Sequence, residues 1–472
     1  MSLKKKQKVD FNILNSDQGL AVAKLINYIK DPNDRSVYVL KGWAGTGKTF
    51  CVSLMVRYLL EELYATKKWY KVAVTGPTNK AVRVIRKMSG LYHPRVDFQT
   101  THKLLGLKEK ITKDGKQLFE NDGKFKPNIT KVKVVIVDEV SMLSDKLFHD
   151  IIAYRGNIKI ICMGDPAQIP PIGKIDCIPF REELAEQYGI KTLELKTIMR
   201  QKLGHPIIEA STIIRTNLQS VRIPMHPVSK HMENGDGIDF LNIRDGQVRR
   251  NIATIFEKHF KTKKFEDDSE YSKIVAWRNT TVDTLNHTIR RIIYGEEKIT
   301  QRVLKGEKMV LNKPYIVLED IVLNTNDEFT VESLEILEEE VAAGNVKEKL
   351  KYYDAIVWYY DDNDQLAKER VEILHEDSER EFWKLSNIFK QIAIDAEGKN
   401  KTWLDYYGFL RRYADVSHAY CITAHKAQGS TYTNAFIMED DIDMNWKTEE
   451  KNRIKYTSYT RASKNLFIIK RF

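Results

Sequence analysis

Residues 42–49 read GWAGTGKT, and they meet the phosphate-binding pattern G-x-x-x-x-G-K-[ST] at every specified position. The spacing has a physical reason. Gly42, Gly45 and Gly47 let the backbone turn sharply and bring its N–H groups against phosphate oxygens, where a Cβ would clash. Thr46 completes the loop, Lys48 is placed to reach β- and γ-phosphates, and the Thr49 hydroxyl can ligate Mg²⁺. The flanks agree. Residues 36–40 (SVYVL) read as a buried strand, and 48–63 carry apolar residues at helical spacing. A strand–loop–helix unit of this kind aims a helix N-terminus at an anion and belongs to an α/β fold.

At 472 residues the chain exceeds one hydrophobic core, and its length suggests about three to four domains. No apolar run is long enough to cross a bilayer, and the basic start MSLKKKQKVDFNIL lacks the apolar stretch of a secretory signal. A net charge of +11 favours a polyanionic partner without identifying one. Cys51, Cys162, Cys177 and Cys421 show no C-x-x-C spacing, which argues against a zinc site or disulfide framework and for a reducing compartment.

The strand–loop–helix pattern then repeats. Ser16 is expected to cap a helix through residue 28, with Gln18 in its first turn; that carboxamide offers the donor and acceptor an adenine edge requires. Strand 71–75 runs into Pro77 and Thr78, and Thr101 and His102 follow at 98–103. Both clusters leave the same edge of a parallel sheet, the usual place for ligand contacts. Residues 108–128 are polar, with turn signals at 114–115 and 122–123, and predict a protruding β-hairpin. Its Phe119 and Phe125 either form a miniature core or present a wedge to stacked bases. Strand 133–137 ends in Asp138 and Glu139, suited respectively to hold Mg²⁺ through water and to deprotonate an attacking water. Strand 158–163 delivers Gln168 as a γ-phosphate sensor, and Met199, Arg200 and Gln201 follow a short strand at 191–195.

A second α/β lobe is read from strand 272–277 and helix 282–294. Between about 312 and 410 strand-like pieces precede two helical stretches, which reads as a small inserted β-barrel with a helical projection. Trp358, Trp383 and Trp403 are expected in its core. The lobe resumes at 417–423. There Thr423, His425 and Lys426 lie on a loop suited to phosphates, and His425 has no second ligand at metal-binding spacing. Arg461 sits between two further strands, 435–438 and 466–469, at the end of a Tyr459-Thr460-Arg461 run.

Taken in order, these motifs resemble the superfamily 1 helicases, and within them the RecD-like 1B branch. The resemblance rests on Gln18, GWAGTGKT, TGPTNKA at 75–81, TTHKLLG at 100–106, VDEVSM at 137–142 and GDPAQIPP at 164–171. It continues with Arg200, TAHKAQGST at 423–431 and YTSYTRASKNLFII at 456–469. It implies two RecA-like P-loop lobes, the first of 1–107 and 129–198, the second of 199–311 and 411–472. It also implies a pin at 108–128, with Phe119 as the wedge, and an SH3-like insert at 312–410. By resemblance ATP and Mg²⁺ lie between the lobes, contacted also by Gln428 and Gly429, with Arg200 and Arg461 reaching the γ-phosphate. Pro77, Thr78, Thr101, His102, Thr423 and His425 would grip single-stranded DNA up to a junction with duplex. The expected activity is ATP-driven 5′→3′ movement with unwinding, the alternative being an ATP-gated remodeller that does not unwind. A cytoplasmic monomer, in contact with replication or single-strand-binding proteins, completes the expectation.

Overall fold

The structure is a computed structural model and describes residues 9–112, 116–121, 123, 126–171, 173–199, 204–317, 320–361, 364–396 and 400–471. Two six-stranded sheets organise it. In the first, strands Val96–Thr100, Val72–Gly76, Val134–Val137, Lys159–Gly164, Val37–Gly42 and Ile190–Leu195 lie side by side in that order, all parallel. Four of these strands are apolar and almost wholly buried, as a sheet covered by helices on both faces requires. One face packs on helices Ser16–Lys30 and Lys48–Tyr58, the other around Phe148, Ile151 and Phe180.

The second sheet runs Cys421–Thr423, Ser272–Ala276, Tyr432–Met438, Ala462–Lys470 and Gly237–Asn242 in parallel, closed by the short antiparallel Lys230–His231. Helices Pro206–Thr216 and Thr448–Tyr459 cover one face. Helices Gly246–Phe260 and Asn279–Tyr294 cover the other. Ala167 and Ile169, which follow the first sheet, belong to the core of the second, so the two lobes share apolar packing at one loop.

A third, antiparallel sheet holds Leu366–Leu374, Val346–Tyr360, Glu328–Ala343, Lys308–Leu311 and Val416–His418. It reaches beyond the expected 312–410 at both ends, because Lys308–Leu311 and Val416–His418 pair with each other in its ladder. The far end of its two long strands packs on helices Glu379–Asp395 and Asn400–Leu410. Trp403 is buried there, but Trp383 stands exposed on the outer side of its helix, contrary to the expectation of a core residue. Strands Lys108–Ile111 and Gln117–Glu120 form the predicted hairpin. Among the described residues no helix is long and apolar enough to cross a membrane, and all four cysteines are buried thiols.

Candidate active site

The carboxyl ends of the first sheet's strands bring the predicted groups together. Residues 42–49 leave Val37–Gly42 and enter helix Lys48–Tyr58 through Gly47 at φ 83°. A Cβ at Gly47 would lie 2.8 Å from the Gln18 amide nitrogen, so both backbone sign and space demand glycine there. The Lys48 ammonium donates to the carbonyls of Gly42 (2.8 Å) and Trp43 (3.1 Å), folded over the loop.

Gln18 departs from expectation. Asn15, not Ser16, caps the first helix, and Gln18 is its reciprocal partner in a capping box. The Gln18 Oε1 accepts from the Asn15 N–H at 3.2 Å, and Nε2 donates to the Thr46 carbonyl at 2.9 Å. The side chain is buried, and it is not among the residues that line the cavity described next. Its carboxamide props the phosphate loop from beneath.

A cavity of about 290 Å³ lies over that loop. The first lobe lines it with Gly45, Gly47, Lys48, Thr49, Asp138, Glu139 and Gln168. Burial, then the neighbouring Glu139 carboxylate, pushes the Asp138 carboxyl up to about 7, against the opposing pull of the Glu139 N–H and Lys48. Glu139 adopts a left-handed backbone at φ 49°, a conformation that costs a non-glycine residue about 1–3 kcal/mol and gathers at functional sites. The Gln168 Oε1 is buried with no hydrogen-bond partner among the described residues. That leaves a free acceptor at the cavity wall.

The second lobe supplies the facing wall through Gly429, Ser430, Thr460 and Arg461. Gly429 sits at φ 74°, and a Cβ there would stand 3.1 Å from that of Ala81 across the cleft. Arg461 is 5% exposed and donates to the carbonyls of Thr457 (2.9 Å) and Ser430 (3.2 Å) and to the Thr460 hydroxyl (3.0 Å). Among the described residues no carboxylate pairs with it. A buried guanidinium held only by neutral acceptors keeps its charge available to an anion entering the cavity. Gln428 does not share this wall: its Nε2 donates to the Ile169 carbonyl at 3.0 Å, tying the lobes together beside the cavity. Arg200 lies outside the described residues.

The remaining candidates divide. Pro77 and Thr78 follow strand Val72–Gly76, half-buried, and the Thr78 hydroxyl caps helix Asn79–Ser89 by accepting from the Ala81 N–H. Thr101 is buried, its hydroxyl turned to Thr75 (3.2 Å) and to the Gly76 carbonyl (3.3 Å); it buttresses the neighbouring loop instead of facing outward. Thr423 caps the helix Ala424–Ala427, and burial holds the half-buried His425 ring below its usual pKa, hence neutral at neutral pH. Burial, then the Lys146 ammonium, does the same for His102. Phe119 is 49% exposed, but it stands on the returning strand opposite Glu109 and not at the hairpin tip. Its ring meets that of His102 edge-on at 5.6 Å. Phe125 lies outside the described residues.

Three clusters had no signature in the sequence, because each joins residues far apart in the chain. Asp165, fully buried after strand Lys159–Gly164, pairs with Arg215 at 3.0 Å and accepts from the Tyr456 hydroxyl. Glu328 pairs with Lys80 of the first lobe (2.9 Å) and Lys273 of the second (3.0 Å). Glu109 of the hairpin pairs with Arg411 at the end of helix Asn400–Leu410.

Comparison with known proteins agrees with this architecture. Residues 13–228 match the AAA domain family model, and 418–469 match the UvrD-like helicase C-terminal domain. The ATP-dependent DNA helicase dda of Enterobacteria phage T4 is 26% identical over 453 residues, covering 91% of this chain and 93% of that one. The RecD subunit of the RecBCD enzyme of Buchnera aphidicola is 25% identical over 92% of this chain and 70% of its own length. The crystal structure of Pif1 helicase from Candida albicans superposes with a TM-score of 0.51 at 16% identity, over 97% of this chain and 94% of that chain, a likeness of fold. The VDEVSM form, the stretch VAWRNTTVDTLN and the compact length also look most like Dda. With its motifs in order on two RecA-like lobes and its similarity to Dda and RecD running over nine-tenths of its length, the chain resembles the superfamily 1B helicases, which are ATP-hydrolysing DNA helicases.

Proposed function

We propose that the chain translocates 5′→3′ along single-stranded DNA by closing and opening the cleft between its lobes, and that its hairpin splits duplex ahead of it. One observation carries the reading: Lys48 of one lobe and Arg461 of the other line the same cavity. The N–H groups of the glycine loop and Lys48 hold the phosphates of ATP. Thr49 and Asp138 suit Mg²⁺, since both line the cavity and Asp138 is a buried carboxylate without a cationic partner in ion-pair range among the described residues. An Mg²⁺ ion held there would supply positive charge to offset that of the phosphates. Glu139 accepts the proton of the attacking water, Gln168 turns its free oxygen towards it, and Arg461 stabilises charge on the transferred group.

The same charges bind the lobes. ATP offers Arg461 an anionic partner across the cleft, and hydrolysis removes it, so the cleft relaxes. Pro77, Thr78 and His102 on one lobe, and Thr423 and His425 on the other, lie at the carboxyl edges of the two sheets and hold the strand. Alternating grip then becomes stepping. The polarity rests on the family resemblance alone.

Steady-state ATPase assays with Lys48→Ala, beside unwinding assays on 5′-tailed and 3′-tailed duplexes, test the reading. It expects turnover lost in the variant, and only the 5′-tailed substrate opened by the native chain. DNA affinity should also fall steeply with salt, as phosphate contacts release counterions. Hydrolysis that survives Lys48→Ala removes the site. DNA-stimulated hydrolysis without strand separation makes the chain a remodeller.

A further inference from the structure

Helix Asn79–Ser89 of the first lobe stands between two cavities. Its Ala81, Ile85 and Met88, at helical spacing, line the nucleotide cavity. Lys80, Arg83 and Lys87, on the adjoining face, line a second cavity of about 480 Å³, and Val84 at the border lines both. The third sheet forms the opposite wall of that second cavity, through Glu328, Phe329 and Tyr360. Resting on the nucleotide-binding reading above, we infer that Arg83 and Lys80 latch the first lobe to the third sheet, and that this latch holds the nucleotide cleft closed. Breaking it weakens nucleotide binding from outside the site.

The latch is built on one turn. Asn326 takes a left-handed backbone at φ 65°, and the Asn324 N–H donates to the Asp327 carboxylate at 2.8 Å. The Asn326 N–H donates to the Leu311 carbonyl at 2.9 Å and the Leu311 N–H to the Asp327 carbonyl at 3.1 Å, which fixes the turn to strand Lys308–Leu311. Asp327, 3% exposed, pairs with Arg83 at 3.2 Å, and the same guanidinium donates to the Tyr360 carbonyl. The next residue, Glu328, takes both Lys80 and Lys273. Those two ammonium groups lie over the Tyr432 ring, 5.4 and 5.6 Å from its centre. Burial works against the Lys80 charge, but the Glu328 carboxylate more than offsets it and holds its pKa above the ordinary lysine value.

Two relationships tie these pairs to the cleft. Lys80 precedes Ala81, and a Cβ on Gly429 would stand 3.1 Å from that of Ala81, so the lobes touch at that turn of the helix. Parting the lobes there draws Lys80 away from Glu328. Lys273, on strand Ser272–Ala276 of the second lobe, also donates to the Ala419 carbonyl and gives Glu328 a second counter-ion. The groups of the first lobe are therefore the ones that let go. Tyr432 in turn follows directly on Gly429, Ser430 and Thr431, which line the nucleotide cavity. Apparent affinity falls in proportion to the fraction of molecules that stand in the binding-competent arrangement. Couplings between two such sites are typically about 5–150-fold.

The test is the affinity of a fluorescent ATP analogue for the native chain, Arg83→Ala, Asp327→Asn and the double variant. Amide hydrogen exchange at residues 324–328 of the native chain, with and without the analogue, is read beside it. Each single variant is expected to lose about 5–150-fold in affinity. The double variant is expected to match Arg83→Ala, because both substitutions break the same contact. The analogue is expected to slow exchange at 324–328, since coupling between two sites is reciprocal. Native affinity in either single variant overturns the latch. So do losses that multiply in the double variant, or exchange at 324–328 that the analogue leaves unchanged. The exchange measurement decides even if a variant folds poorly. Lys48→Ala keeps the two readings apart: hydrolysis indifferent to Lys48 sinks the nucleotide site, whereas a failed latch beside Lys48-dependent hydrolysis sinks only the present inference.

Discussion

The Tyr456 hydroxyl, on the last long helix of the second lobe, donates to the fully buried Asp165 carboxylate in the first. Arg215 closes the other side of that carboxylate and lays its guanidinium over the Trp43 ring at 4.3 Å, while the Ala44 N–H approaches the Tyr456 oxygen at 3.3 Å. The phosphate loop, the loop after strand Lys159–Gly164 and two helices of the opposite lobe thus meet at one acid. Both lobes and the nucleotide loop are joined at this point.

Removing the phenol should be felt in stability and turnover together. Tyr456→Phe takes a donor from a buried charge, at a cost of about 1.5–3 kcal/mol in denaturant unfolding. Asp165→Ala leaves Arg215 buried without its partner, at about 3–5 kcal/mol. DNA-stimulated ATPase should fall in both. Full activity in Tyr456→Phe would show that the bond does not transmit.

Arg461 is predicted to act on chemistry more than on binding. Its replacement by Ala should lower kcat by about 10³–10⁵ while nucleotide affinity changes little. Arg461→Lys should recover only part, because a point charge does not reproduce a planar fork. Single-turnover hydrolysis beside a fluorescent-nucleotide binding assay separates the two quantities.

A pH dependence follows from Glu328. Burial works against its carboxylate, but the Lys273 and Lys80 ammonium groups outweigh burial and hold it at about 2, below its ordinary 4.5. The depressed group stabilises the fold fully above its unfolded value, and that contribution fades as pH falls from 4.5 towards 2. Thermal unfolding across this window should show a slope that Glu328→Gln lacks. At neutral pH the variant should lose about 3–5 kcal/mol, since two buried ammonium groups lose their counter-ion.

The hairpin is braced from outside. The Arg411 guanidinium pairs with Glu109, and the Lys146 ammonium donates to the Phe119 carbonyl at 2.8 Å. Phe119→Ala is expected to abolish strand separation while sparing DNA-stimulated ATPase. Arg411→Ala is expected to reduce unwinding with the same ATPase retained. Paired unwinding and ATPase measurements decide; loss of both activities would place these residues in folding or DNA grip instead.

Both lobes were legible in the chain because their signals are local. A phosphate loop needs its glycines, lysine and threonine within eight consecutive residues, and a buried parallel strand announces itself by an unbroken apolar run such as VVIV at 134–137. The hairpin likewise showed in its turn residues. Local pattern was weaker on partners. Gln18 has the chemistry of a base reader, and only the packed structure, by taking both ends of its carboxamide, made it a prop for the loop. Thr101 turned inward for a similar reason: the Gly76 carbonyl beside it is buried and needs a donor. Trp383 went the other way, because its helix has one buried face and the tryptophan is on the other. The chain's own order of residues determined which backbone would wrap a phosphate and which strands would be covered. Tertiary structure alone decided which polar atoms were left free to meet a ligand, since hydrogen bonds and ion pairs such as Tyr456 to Asp165 or Lys80 to Glu328 join positions hundreds of residues apart, where no spacing in the sequence can register them.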